Sequence, residues 1–182
     1  MKRVIVILAP GFEEVEAFAP VDILRRAGVD VVTAGTVDGV IVGRNGIKVL
    51  ADESLDKEVD SDFDMVILPR GLVGTENLKS DGRVKRIVEH HDEHGKYIAA
   101  ICAAPTVLAE IGVTEGKQLT SHPSVKGEFH HEKYSEARVV VDGNLITSRA
   151  PGTAMEFAFK LVEILCGKEK VEEVNAGVLA EI

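Results

Sequence analysis

The sequence predicts an α/β protein in which a mostly parallel sheet is covered by helices on both faces. Three observations carry this. Extended runs such as Val4–Leu8 and Asp64–Leu68 are apolar at nearly every position instead of every second one, as expected of strands buried on both faces. Such runs alternate with helical stretches along the chain. The helical stretches end on glycine, at Gly28, Gly95, Gly112 and Gly167, the residue that best adopts a helix-terminating conformation. With 182 residues and no linker, repeat or shift in composition, residues 1–182 are expected to form one domain.

In order along the chain, Val4–Leu8 is a strand stopped by Pro10-Gly11, and a helix follows from about Phe12 to Ala27. Val29–Ala34 is a second strand. The turn signals Asp38-Gly39 and Asn45-Gly46 bracket Val40–Val42, so a hairpin pairs that segment with Ile47–Leu50. Asp64–Leu68 is a strand ending at Pro69-Arg70-Gly71, and helical pattern resumes from about Asp81 to His94. Tyr97–Ile101 is a strand, Cys102 follows it, and Pro105–Ile111 is helical. Short extended pieces at Gln118–Thr120, Arg138–Val141 and Leu145–Thr147 precede a last helix over about Thr153–Cys166. In a parallel sheet the functional groups gather at the carboxyl ends of the strands. Pro10-Gly11, Pro69-Arg70-Gly71 and Cys102 all stand at such ends.

Composition narrows the function. The net charge is −9 and no segment concentrates Lys and Arg, which disfavours nucleic acid and anionic membrane surfaces as partners. The apolar start of the chain is too short for a secretory leader, and no stretch approaches the ~20 residues needed to span a bilayer. The two cysteines, Cys102 and Cys166, lie far apart and form no disulfide framework, so a reducing, cytoplasmic setting is expected. No phosphate-binding loop, dinucleotide fingerprint or paired-cysteine zinc pattern occurs, and no cofactor or metal is expected.

Cys102 is the leading candidate for chemistry. It sits where a buried strand turns into a helix, among the small residues Ala100, Ala103 and Ala104 that a sharp turn requires. Pro105 suits the first helical turn, and the helix end should favour thiolate over thiol. The alternative is a buried cysteine acting as a small hydrophobe, the role expected of Cys166 beside Leu161, Ile164 and Leu165. A helical wheel started at Phe12 puts Glu16 at roughly 40°, inside the arc of Ala19, Ile23 and Ala27. A carboxylate there is protonated, paired (Arg26 is within reach) or functional. Glu13 falls at the edge of the arc, and Glu14 on the opposite side is expected at the surface. The second apolar face of this helix, Val15, Phe18 and Val21, is expected in the core or against a second subunit. His122 is a candidate base or hydrogen-bond partner for Cys102, or simply a loop histidine. His90 and His94, and the pair His130-His131, are expected on solvated polar surfaces.

The chain resembles the ThiJ/PfpI family, and within it the branch that contains the parkinsonism-associated, glutathione-independent glyoxalase-like deglycase. The matching segments are Gly11–Glu16, Pro20–Gly28, Ala99–Thr106, His122-Pro123 and Thr147–Thr153, in the family's order. The resemblance implies a flavodoxin-like three-layer sandwich, similar to class I glutamine amidotransferases, and a homodimer. It implies Cys102 as nucleophile, Glu16 as the acid beside its sulfur, His122 nearby, and the backbone N–H groups of Gly71 and Ala103 as an oxyanion hole. Glu13 and Arg70 are candidate substrate contacts. Two positions depart from the family pattern: Ala103 stands where the peptidase-like branch has His, and Arg70 stands where Pro-Gly-Gly is usual. Arg70 either strains that loop or adds a cation for a carboxylate or phosphate of the substrate. The function so implied is cofactor-independent conversion of small 2-oxoaldehydes to 2-hydroxy acids, or the related deglycation. The alternatives are a redox-sensing protein of oxidative stress acting through Cys102 oxidation and, third, an intracellular cysteine peptidase.

Overall fold

The computed structural model describes residues 1–181, the side chain of Leu72 apart. The first half of the chain runs β1 (Arg3–Leu8), α1 (Glu14–Arg26), β2 (Asp30–Gly35), β3 (Val40–Val42), β4 (Lys48–Leu50), β5 (Glu53–Ser54) and α2 (Leu55–Glu58). There follow β6 (Met65–Leu68), α3 (Leu72–Ser80), α4 (Gly82–Glu93), β7 (Tyr97–Ile101) and α5 (Pro105–Ile111). The remainder is β8 (Gln118–Leu119), β9 (Lys133–Tyr134), β10 (Val139–Asp142), β11 (Leu145–Ser148), α6 (Ala154–Cys166) and α7 (Lys168–Val178). Seven strands form one sheet in the order β10-β11-β7-β6-β1-β2-β5. Every pairing is parallel except β10 with β11. The hairpin β3–β4 is antiparallel, as its two turn signals predict.

The uniformly apolar strands are explained by what lies on each face. Val4, Val6 and Leu8 of β1 pack with Ile23 and Leu24 of α1 and Phe157, Leu161 and Val162 of α6. The intervening Ile5 and Ile7 pack on the other face with Val84, Ile87 and Val88 of α4 and Leu108 of α5. A flavodoxin-like α/β sandwich results. The chain turns from one half of the sheet to the other between β1 and β6, and at such a reversal the loops at the carboxyl ends diverge and open a crevice.

Two helices depart from the sequence expectation. The segment expected to be a loop after Gly71 is α3, whose internal Gly74 and adjacent Val73 weaken its helical signature. Gly74 is there for packing: a Cβ would stand 3.1 Å from the Gly11 backbone. The chain was expected to end its helices at Cys166, yet α7 begins after Gly167 alone. Gly167, at φ 88°, stops one helix and redirects the chain into the next.

The loops after β1 and β6 cross almost in contact. At Gly71 a Cβ would lie 1.5 Å from the Gly11 carbonyl oxygen, so no side chain fits there. Gly71→Ala is therefore expected to cost about 3 kcal/mol or more in urea unfolding. Gly127→Ala, where a Cβ meets nothing within 4 Å, should leave the midpoint nearly unchanged. Equal midpoints for the two variants would show the crossing to be free to relax.

Candidate active site

Cys102 leaves the end of β7 with φ 69°, the left-handed region that side chains with a Cβ rarely occupy. The strain is held by hydrogen bonds on both sides. Its N–H donates to Ser148 O at 2.9 Å, and its carbonyl accepts from His122 N–H at 2.7 Å. Ala100, Ala103 and Ala104 are buried around it, and Pro105 opens α5. The sharp strand-to-helix turn expected from these small residues is thus present.

Glu16 is fully buried, as the wheel predicts. Arg26 does not reach it, being paired with Asp22 on the next turn at 2.8 Å. One carboxyl oxygen, Oε2, accepts the Arg70 N–H at 3.1 Å. The other, Oε1, is buried without a hydrogen-bond partner among the described residues, and the neighbouring Cys102 helps to lower the pKa of the carboxyl group. Burial is the main reason that the Glu16 carboxyl rises to about 7, with the Glu13 carboxylate adding to it; Cys102 and Arg70 pull the other way. Pro20 lies four residues on and supplies no N–H to the Glu16 carbonyl, which loosens the helix at this point.

The Cys102 thiol is pushed up to about 12, first by burial and then by Glu16, and the nearby Arg70 cation offsets this only in part. Burial thus opposes the thiolate that the helix end was expected to favour. The site therefore sets a thiol whose proton is held more tightly by burial beside a carboxyl raised toward neutrality.

Arg70 is almost completely buried, and its Nη1 lies 3.5 Å from Cys102 Sγ. Its backbone is not strained: its φ is not positive, its N–H binds Glu16, and its carbonyl accepts from Glu13 N–H. Of the two readings of this position, the strained loop is not seen, and the guanidinium stands beside the sulfur. Glu13 caps α1 through its carboxylate, which accepts the Glu16 N–H at 2.9 Å.

His122 is joined to Cys102 through the backbone, and its ring makes no hydrogen bond to the sulfur. Ring Nδ1 accepts from Ser124 N–H at 3.2 Å and lies 2.7 Å from Ser124 Oγ. With Nδ1 occupied as acceptor, the neutral ring carries its proton on Nε2. Partial burial and the cations Arg70, Arg149 and Arg44 lower its pKa, which keeps it neutral. Of the roles expected for it, the structure shows no ring contact with the Cys102 sulfur. Neither Gly71 N–H nor Ala103 N–H donates to a backbone carbonyl among the described residues.

Two expectations about exposure are also revised. Glu14 is buried, not exposed: its carboxylate accepts from Asn45 N–H and Nδ2, both at 2.8 Å, and so anchors the β3–β4 hairpin on α1. Cys166 is exposed at the end of α6 instead of packed in the core. His90 and His94 are exposed at the helix end, as expected, and stack on each other, while the His91 between them is buried. Val21 joins the core while Val15 remains exposed. Among the described residues no three His, Cys, Asp or Glu side chains converge as metal ligands, and no helix is long and apolar enough to cross a membrane.

Residues 2–164 match the DJ-1/PfpI family. The chain belongs to that family. It is 48% identical over 181 residues to Protein dj-1beta of Drosophila melanogaster, covering 98% of this chain and 97% of the relative. The glutathione-independent glyoxalase DJ-1 of Schizosaccharomyces pombe is 34% identical over 192 residues, with 96% of each chain covered. Among solved structures, Drosophila DJ-1beta superposes with a TM-score of 0.97 at 46% identity, covering 100% of this chain and 99% of that one. Oxidised Toxoplasma gondii DJ-1 gives 0.97 at 33% identity, with both chains fully covered. The DJ-1-like placement of strand, elbow and helix supports the family assignment made from motifs.

Two buried groups give the protein opposing pH dependences. Glu16 has a folded pKa of about 7 against 4.5 when unfolded. The folded state thus holds this proton more tightly, and stability is lost as pH rises from 4.5 to 7, by about 3 kcal/mol. His91 is lowered by burial from 6.5 to about 4, so its contribution is complete above 6.5 and is lost as pH falls toward 4. Glu16→Gln removes only the first effect. It should gain about 2–3 kcal/mol over wild type on going from pH 5 to pH 7.5 in urea titrations. A constant difference between the two proteins at both pH values would mean that Glu16 is not held protonated.

Proposed function

We propose that the protein is a cofactor-independent cysteine enzyme that converts small 2-oxoaldehydes to 2-hydroxy acids, with deglycation of early glycated adducts as a related activity. The observation that carries this reading is the pairing of a strained, enclosed thiol with a carboxyl whose pKa lies near 7. That is the value at which one group both accepts and returns a proton under neutral conditions. The similarity to a fungal glutathione-independent glyoxalase supports it.

In this mechanism the Cys102 proton passes to Glu16 as Sγ bonds the aldehyde carbon. The carbonyl electron pair moves onto oxygen, where the Gly71 and Ala103 N–H groups receive it. Glu16 passes that proton to the oxyanion, which completes the hemithioacetal and frees the carboxylate to take the carbon-bound proton. The C–H electron pair forms an enediolate, the hydroxyl proton moves to the former ketone oxygen, and Glu16 returns its proton to the neighbouring carbon. The aldehyde carbon is thereby oxidised to a thioester and the ketone carbon reduced to an alcohol, with no external redox partner. Water cleaves the thioester, releasing the 2-hydroxy acid and the thiol. His122, with its proton on Nε2, donates to substrate oxygen and is not the base. Val15, exposed on α1, fits the homodimer implied by the resemblance, which we retain as part of the proposal.

Methylglyoxal consumption with lactate detection, without glutathione, tests the assignment. Cys102→Ala should abolish turnover, and Glu16→Gln should lower kcat by 10²-fold or more, on the order expected for loss of a general acid–base. Normal lactate formation by Cys102→Ala would sink the proposal.

A second reading has its own support: Arg70 Nη1 already faces Sγ, where it can donate to the oxygens of an oxidised sulfur, and a Toxoplasma relative was crystallised oxidised. Mild peroxide adding two oxygens at Cys102, in a protein without turnover, would favour redox sensing.

A further inference from the structure

Arg70 is a buried cation without a counterion. No carboxylate lies within ion-pair distance of its guanidinium among the described residues, and its Nε has no hydrogen-bond partner. Leaving such a group unpaired is costly. It lines a cavity of about 400 Å³ that is also walled by Ala103, Thr75 and Thr106. Thr75 Oγ1, in the same wall, is a second buried polar atom without a partner. Two wall residues with unsatisfied polar atoms, one of them in contact with the Cys102 sulfur, mark a place for a ligand with acceptor oxygens. The other charges lining the cavity already pair with one another: Lys79 lies 3.9 Å from Glu76 and 3.7 Å from Glu128, and also meets Glu110 outside the cavity at 3.5 Å. Arg70 is the lining cation that has no carboxylate within ion-pair distance among the described residues.

We propose that Arg70 makes Cys102 a site for anionic carbonyl compounds, namely 2-oxoaldehydes that carry a carboxylate within a few bonds of the aldehyde. The proposal rests on the carbonyl chemistry assigned above and specifies its substrate class. With Nη1 at 3.5 Å from Sγ, a carboxylate one or two bonds beyond the carbon bound to sulfur falls within reach of the guanidinium fork. The Thr75 hydroxyl offers a further donor in the same cavity. The covalent steps are unchanged, and the carboxylate passes through them intact.

Iodoacetate and iodoacetamide test this, because they match in size and differ in charge. Both alkylate the same thiolate with loss of iodide, so any change in Cys102 acidity cancels in the ratio of their rates. Peptide mass spectrometry follows Cys102 and, as an internal reference, the exposed Cys166. The iodoacetate-to-iodoacetamide ratio at Cys102 should be about tenfold higher in wild type than in Arg70→Gln. Arg70→Lys should retain part of the preference, and the ratio at Cys166 should not move. A Cys102 ratio equal in wild type and Arg70→Gln, within twofold, overturns the proposal. If Cys102 resists both reagents, glyoxylate replaces them, read as a shift in unfolding temperature. A rise in wild type that Arg70→Gln lacks supports the anion site, and equal responses overturn it. Neither readout requires turnover. An intact charge preference in a protein that makes no lactate would sink the proposed reaction and leave the anion site standing.

Discussion

The candidate site depends on one close crossing, where the loop leaving β1 presses its Gly11 carbonyl against the α carbon of Gly71 in the loop leaving β6. Because no Cβ stands between them, the two backbones bind each other directly. Glu13 N–H donates to Arg70 O, and Arg70 N–H donates to Glu16 Oε2. Asn77 of α3 adds a side-chain hydrogen bond to Pro10 O at 2.9 Å, and the hairpin holds the loop from the other side through Gly11 N–H to Val42 O. These contacts fix the first turn of α1 over the end of β7. A carboxyl from one loop, a cation from the second and a thiol from the third are thereby gathered where the sheet changes direction.

Burial then sets the chemistry. A charge placed at this crossing is separated from water, and the three groups respond differently. The thiol and the carboxyl both hold their protons more tightly, while the guanidinium lies against the sulfur. The thiol needs a base at the moment of attack, and Glu16 titrates where such a base is useful. The strained backbone at Cys102 is affordable because neighbouring strands and the His122 loop hold its amide and carbonyl.

Much of this was legible in the residues. Uninterrupted apolar runs announce strands covered on both faces, and Tyr97–Ile101 and Pro105–Ile111 were readable to the residue because Cys102 and Pro105 punctuate them. Glu16 was readable because a carboxylate in an apolar arc has few physical explanations. Glu14 was misread for a related reason: the wheel treats the side away from the core as solvent, and here a hairpin distant in sequence covers it. Cys166 erred in the other direction, since a helix end beside apolar residues still leaves one side open. The helices α3 and α7 escaped notice because one carries a glycine demanded by a neighbouring loop and the other follows a glycine that ordinarily ends a helix.

The sequence by itself determined the layered α/β architecture, the cysteine at a strand–helix turn and the buried acid, since each follows from local patterning and the cost of burying charge. Only the tertiary structure decided that the Arg70 guanidinium points at the sulfur with no carboxylate within ion-pair distance among the described residues, that the His122 ring bonds Ser124 and not the sulfur, and that burial makes the cysteine hold its proton more tightly. Those outcomes depend on which atoms from separate loops share a desolvated space, and no spacing along one chain segment records that.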